Sequence, residues 1–414
     1  MTAMALHRLK FNVVCDVTAL TALGPAWQAL WSRLANPHVF QTFEWCCNAW
    51  RHVAGKRGNQ LRIMVGRLGE RVVLIWPMMV DQGVLRMLSS GTLEYRDILV
   101  EPSEQATQWI AQAWQAAKPA IKADAYLFQN LRLPNHLGSS IAALAPSARV
   151  GGGWCPVIRL NQFADWDAYA ASLPKSLISD QRRQWKRLAT VMPGLSFQLI
   201  DKPEKIQAVM DWISHHKRQW GELQGKPAIW FTTPDITQFL QAVTAQALSE
   251  GRLIMVTLSN GEDILSAGWG FQWGDQFLFH MFAYDARHAT YSPSRLLLQR
   301  LIQHGFETGV GTFDFMPGDE AYKRIWATHY IRTVSYLGAT NWRGAMWLQL
   351  ARTAPLAARP IAELQRWYAM LPERLRARLR RRLDFMRSMQ AAIRLPTPSA
   401  LSPEQPAASH ESLR

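Results

Sequence analysis

The residues best suited to chemistry lie in two short segments, 291–295 and 314–326. At Tyr291-Ser292-Pro293-Ser294-Arg295 a strand and loop hand over to a helix, with Ser292 suited to the N-cap and Pro293 to the first helical position. Such a start turns unpaired amides and the positive end of the helix dipole outward. Ser292, Ser294 and Arg295 are therefore candidate phosphate ligands, although an ordinary capped helix has the same pattern. The run Asp314-Phe315-Met316-Pro317-Gly318-Asp319-Glu320-Ala321-Tyr322-Lys323-Arg324-Ile325-Trp326 ends a strand and opens a second helix. Gly318 allows a tight turn, Asp319 is placed to cap, and Tyr322 and Trp326 fall one turn apart on one side.

Further candidates come from strands. In Phe277-Leu278-Phe279-His280-Met281-Phe282 the two-residue period puts His280 on the face of Leu278, Phe282 and Tyr284, as a proton relay or a core residue. Of 19 Trp, Trp269 and Trp273 flank the turns of a meander and are the two to test for stacking on a sugar. No metal site is expected: His215-His216 lacks a carboxylate at ligand spacing, and Cys15, Cys46, Cys47 and Cys155 show no CxxC pattern.

These residues need a scaffold, and the periodicity supplies one. In a first unit, residues 1–150, strands 61–67 and 71–80 surround a Gly-containing turn, and further strands, a helix after Ser103 and a strand at 126–131 follow. After Gly151-Gly152-Gly153 a second unit, 151–345, continues with helical stretches at 166–189 and 203–220, a helix at 235–249, three antiparallel strands, and then helix, strand, helix, strand. The class is α+β: mixed, mostly antiparallel sheets flanked by helices.

The charge balance is uneven. Lys and Arg number 46 against 31 Asp and Glu, and residues 351–394 hold 11 Arg against 3 acidic residues, eight of the fifteen net charges. The globular part is too mildly basic for DNA to be a partner. Residues 346–394 read as a basic amphipathic helix, which either packs on the second unit or rests on an anionic membrane, and 395–414 are too rich in Pro and Ser to pack. With no secretory signal and no apolar run long enough to span a bilayer, the expected place is the cytoplasm, including the inner face of the membrane.

The segment from Tyr291 to Gly309, followed by Phe313 to Trp326 with its Gly-Asp-Glu-x-Tyr-Lys core, resembles the GNAT-type acyltransferases of the CelD/BcsL family of cellulose biosynthesis, and the likeness extends loosely over residues 25–340. The resemblance implies tandem GNAT domains like those of FemAB-type transferases, with an acyl-CoA, acetyl-CoA above all, as donor. In that picture 277–283 and 311–316 are two parallel strands that splay around the donor, and Ser292, Ser294 and Arg295 hold its phosphates. Tyr322 falls where many GNAT enzymes keep the acid for the leaving thiolate. Asp319, Glu320 or His280 relays the acceptor's proton, and Trp269, Trp273 and Lys323 face an acceptor that is a sugar or envelope precursor. One departure is that Arg287 to Ser292 contains no glycine, where the superfamily's pyrophosphate loop usually reads Arg/Gln-x-x-Gly-x-Gly/Ala. Two alternatives stay open: an aminoacyl-tRNA donor gripped by the basic segment 179–188, and a non-catalytic scaffold in a polysaccharide-synthesis complex.

Overall fold

The computed structural model describes residues 9–353 except 36, 90, 92–94, 135–136, 138–139, 141–146, 226–232, 262 and 319. From residue 354 the expected basic helix and the Pro/Ser-rich stretch lie outside the described residues, as does Asp319.

The chain divides into two units. In the first, β1 (Lys10–Val14), β2 (Gln60–Leu68), β3 (Arg71–Asp81) and β4 (Val84–Met87) form an antiparallel meander. Its β2–β3 turn is Gly69-Glu70, with Gly69 at φ 58°. The two-residue β5 (Leu99–Val100) pairs with β3. Nine consecutive residues of β3, Val72 to Val80, are buried, as expected for a strand covered on both faces. Helices α1 (Val17–Ala22), α2 (Gly24–Trp31) and α3 (Phe43–Ala49) cover one face through Leu20, Trp27, Leu30, Cys46 and Cys47. Helix α4 (Ala106–Ala117) covers the other, where Trp114 and Phe128 each lie 5.7 Å from Trp76. Next to β4 runs β6 (Ala125–Arg132), parallel to it.

The second unit repeats this plan. Strands β8 (Leu195–Leu199), β9 (Leu253–Asn260), β10 (Asp263–Trp273) and β11 (Gln276–Tyr284) form the meander, and β12 (Thr312–Asp314) runs parallel to β11. Pro174 breaks the expected 166–189 helix into α5 (Trp166–Ser172) and α6 (Lys175–Val191). Helix α9 (Pro293–Glu307) joins α5 and α6 over Phe277, Phe279 and Phe313, burying Leu296, Leu297, Leu301 and Ile302. Helices α7 (Pro203–Leu223) and α8 (Pro234–Ser249) pack against β9–β11 as a further layer. A short α10 (Ala321–Trp326) follows β12.

Each sheet is finished by a strand that the linear order does not predict. The strand after α10, β13 (His329–Ala339), pairs antiparallel with β6 and, from Arg332 on, belongs to the first unit together with α11 (Trp342–Thr353). The second unit is completed by the last residues of β7 (Ser147–Arg159), antiparallel to β12. The sequence reading had placed everything from 151 to 345 in the second unit.

Candidate active site

The site is built where two parallel strands part. Strands β11 and β12 pair over three positions only, Gln276 with Thr312, Phe277 with Phe313 and Leu278 with Asp314. There β12 ends, while β11 continues to Tyr284 along β10. A β-bulge accompanies the parting: Trp269 pairs with Met281 and Gly270 with Phe279, so His280 is an extra residue. The bulge breaks the expected alternation. Phe282 stacks on Phe279 at 5.6 Å, whereas His280 lies flat on Trp269 at 4.5 Å.

This arrangement bears on three candidates. His280 is enclosed, and burial pushes its pKa down to about 3, so at neutral pH it is a weak base for taking an acceptor's proton. Trp269 is fully buried in the core and offers no face to a ligand. Trp273 is half-buried, but its ring is occupied by the guanidinium of Arg252, 3.3 Å from the centroid.

Beyond β11 the chain turns sharply. Asp285 is buried and accepts from the backbone N–H of Arg287 at 2.9 Å and from its guanidinium at 2.6 Å. Burial alone would raise the pKa of this carboxyl, but the hydrogen bonds and charge of Arg287 hold it below the ordinary aspartate value. A 3₁₀ turn, Ala286–Tyr291, leads to Ser292, which is left-handed (φ 52°, ψ 50°) and makes no side-chain cap bond. Its carbonyl rather than its hydroxyl serves the helix, accepting from the amides of Arg295 and Leu296. Since Pro293 has no N–H, the first turn of α9 keeps the Ser294 amide for a ligand.

Cationic side chains gather at this corner. Helix α6, the basic segment of the sequence, packs against this corner. Asp180 Oδ2 lies 3.3 Å from Arg295 Nη1, Gln181 donates to the Arg295 carbonyl, and the Arg187 guanidinium stands 5.6 Å over the Tyr291 ring. Arg182, Arg183, Lys186 and Arg187 are all exposed.

The other side of the parting is the loop from Asp314 to α10. Asp314 is fully buried and accepts from the Met316 amide at 2.7 Å, and Met316 is left-handed at φ 63°. Gly318, at φ 127°, is required: a Cβ there would meet the Glu320 carboxylate at 2.6 Å. Glu320 is the N-cap residue of α10, without a side-chain cap bond, and binds Lys323 Nζ at 2.8 Å. Lys323 is buried, donates also to the Pro317 carbonyl, and so braces the loop instead of facing an acceptor. Tyr322 and Trp326 do share a side, Trp326 in the core and Tyr322 half-buried with its ring 5.5 Å from Phe282. Burial, with Glu320 nearby, pushes the Tyr322 phenol well above its ordinary pKa, so it keeps its proton.

Lys217 is the residue that sequence reasoning missed. Its ammonium lies 5.1 Å from the Phe282 ring and 5.6 Å from that of Trp220. Burial pushes its pKa down to about 8, with Glu320 opposing and Lys323 adding to the shift. The signal was present in α7: buried Ile206, Val209, Met210 and Ile213 form a stripe whose next position, four residues on, is Lys217.

Residues 175–324 match the family model of the acetyltransferase (GNAT) domain. The second unit is a GNAT acetyltransferase domain. The chain is an acyltransferase. Among solved structures, FemX superimposes with a TM-score of 0.52 at 12% identity, covering 80% of this chain and 97% of FemX. A tandem GNAT protein from the clavulanic acid biosynthesis pathway covers 81% of this chain and 99% of its own at 14% identity and a TM-score of 0.46. A conserved protein of unknown function from Bacteroides thetaiotaomicron covers 79% and 99% at 11% identity and a TM-score of 0.49. No curated protein matches the chain. The fold is that of two GNAT-like units in tandem, as the resemblance implied. Among the described residues no group of His, Cys, Asp and Glu is arranged to hold a metal ion, and no helix is long and apolar enough to cross a membrane.

Proposed function

We propose that the chain transfers an acyl group, acetyl above all, from an acyl-CoA to an amine or hydroxyl of a sugar or envelope precursor, as the CelD/BcsL resemblance implies. The observation that carries the reading is the parting of β11 from β12, with Tyr322 packed on Phe282 beyond the parting and the start of α9 following the end of β11. The gap between the strands suits a thin pantetheine arm, and the free edge of β11 offers it amides and carbonyls. The donor's phosphates rest on the Ser294 amide and hydroxyl and on Arg295, with Arg183 and Arg187 of α6 taking the place of the missing glycine loop. This fits a donor held by side-chain charge more than by backbone.

In the reaction the acceptor's lone pair attacks the thioester carbonyl and the C–S bond breaks. The phenol of Tyr322, kept protonated by its surroundings, hands its proton to the departing sulfur. Asp319 remains a candidate for orienting the acceptor.

A donor screen tests the reading. Acetyl-CoA is expected to raise the melting temperature of the full chain by several degrees, and no stabilisation by any acyl-CoA would sink it. The second reading, an aminoacyl-tRNA donor, is favoured by one specific observation: α6 presents four exposed cations beside the start of α9. Stabilisation by aminoacyl-tRNA and not by acetyl-CoA selects it, and stabilisation by neither selects the scaffold. For the membrane, co-sedimentation with anionic vesicles should be lost in a chain ending at Arg359. Equal sedimentation of both chains removes the tether.

A further inference from the structure

We infer that Lys217 is the general base of this acyltransferase, its neutral amine taking the proton of the acceptor's attacking nitrogen or oxygen; the inference rests on the acyl-CoA reading above. Three observations place it there. First, Phe282 lies on β11 beyond the point where β12 ends, and the Lys217 ammonium and the Tyr322 ring approach that one side chain, at 5.1 Å and 5.5 Å. Base and acid thus sit around a single aromatic ring, one from α7 and one from α10. Second, among the described residues no carboxylate lies within ion-pair distance of Lys217. Glu320, the acidic group nearest in effect, is bound to Lys323. An amine set against the rings of Phe282 and the exposed Trp220, with no counter-ion among the described residues, is held for a reaction rather than for a salt bridge. Third, two other proton acceptors among the described residues are disabled. His280 is stacked on the buried Trp269, and Asp285 is engaged by Arg287.

Among the described residues the charges around Lys217 are few. Glu320 favours its ammonium form and Lys323 disfavours it, while burial acts in the same sense as Lys323. On its own helix, His216 is itself pushed down by burial, despite the charge of Asp285. On β11, His280 is neutral, and Tyr284 follows it at the strand's end. The result is an amine that is partly neutral near pH 8, where a base works best.

The step balances. The acceptor N–H or O–H forms its bond to the acyl carbon and gives its proton to Lys217, while the C–S electron pair leaves with sulfur and takes the Tyr322 proton. The Lys217 ammonium then returns a proton to the tyrosinate, directly or through solvent. The products are the acylated acceptor and the free thiol.

The test uses the full chain, labelled with ¹³C at lysine Cε, and acetyl-CoA with water or glucosamine as acceptor, read by thiol release. Expected are a Cε resonance, lost in Lys217→Arg, that titrates near pH 8, and a kcat/KM that rises with pH through the same midpoint. In Lys217→Arg the rate should fall on the order of 100-fold or more and the rising limb should vanish, with acetyl-CoA affinity unchanged by calorimetry. Glu320→Gln, which removes the favouring charge and leaves Lys323 unopposed, should move the limb of an otherwise native lysine to lower pH. This arm decides the matter even where Lys217→Arg does not fold. A Cε titration near the ordinary lysine value, or a limb that survives in Lys217→Arg or stays put in Glu320→Gln, overturns the inference. A chain that does not bind acetyl-CoA overturns the donor reading and the base with it, whereas a chain that binds and turns it over with the limb unmoved overturns the base alone.

Discussion

Asp180 on α6 holds two guanidiniums at once, Arg295 at 3.3 Å through Oδ2 and Arg183 at 2.5 Å through Oδ1. One carboxylate against two cations leaves the start of α9 net positive but keeps Arg295 turned toward α6. Asp180→Asn should release both and tighten coenzyme A binding roughly three-fold, while Arg295→Ala should weaken it about ten-fold, the size of one charge-assisted hydrogen bond. Calorimetric titration reads both. A dissociation constant unchanged in Arg295→Ala would take that residue out of the donor site. With a donor held by side-chain charge, as proposed, affinity should also fall steeply between low and high salt.

Tyr322 is proposed to act on the leaving group alone. Tyr322→Phe keeps the ring against Phe282 and Phe315 and removes the proton. Turnover should drop about 100-fold or more with donor affinity nearly unchanged, since the lost interaction exists only in the transition state. Full activity in the variant would mean that the thiolate leaves unaided or that another acid serves it.

Burial of neutral histidines makes stability depend on pH. His280 and His38 have folded pKa values of about 3, below the ordinary 6.5, so between these limits the unfolded chain binds protons that the native chain refuses. Their contribution is therefore intact above pH 6.5 and is lost as pH falls toward 3. From pH 7 to pH 5 each histidine should cost about 2 kcal/mol. His280→Asn, compared with the native chain by urea unfolding at the two pH values, should lose less by about that amount. Equal losses would mean that His280 is protonated in the fold.

The two loops of the candidate site were legible in the sequence because they rest on local signals: Pro293 at a helix start, and Gly318 between a strand's end and a short helix. What the sequence concealed depends on register and on distance. A two-residue period assigned His280 and Phe282 to one face, and only the pairing of Trp269 with Met281 and Gly270 with Phe279 reveals the bulge that separates them. Ser292 looked like a side-chain cap, but the 3₁₀ turn before it forces a left-handed backbone. Lys323 seemed free for substrate because its bond to the Pro317 carbonyl follows from the fold of the loop, not from spacing. Lys217 was passed over as one charge in a polar run. Its place on the buried stripe of α7 was visible, but the ring it meets lies 65 residues away on β11.

The last strand of the GNAT-like first unit is encoded after the second. Val334 and Leu337 of β13 are buried in first-unit clusters, and Gly338 pairs with Tyr126 of β6 so closely that any Cβ would strike the phenol ring. Gly338→Val should therefore unfold the first unit, although it lies beyond all of the acyl-transfer residues, and its melting should separate from that of the second. A fragment of residues 1–150 lacks β13 and leaves the edge of β6 open, so it should aggregate or melt without a cooperative transition, and a co-expressed 329–353 segment should restore the transition. If 1–150 alone gives the near-ultraviolet circular dichroism and sharp melt of a folded unit, β13 is an accessory strand and the exchange has no part in holding the fold.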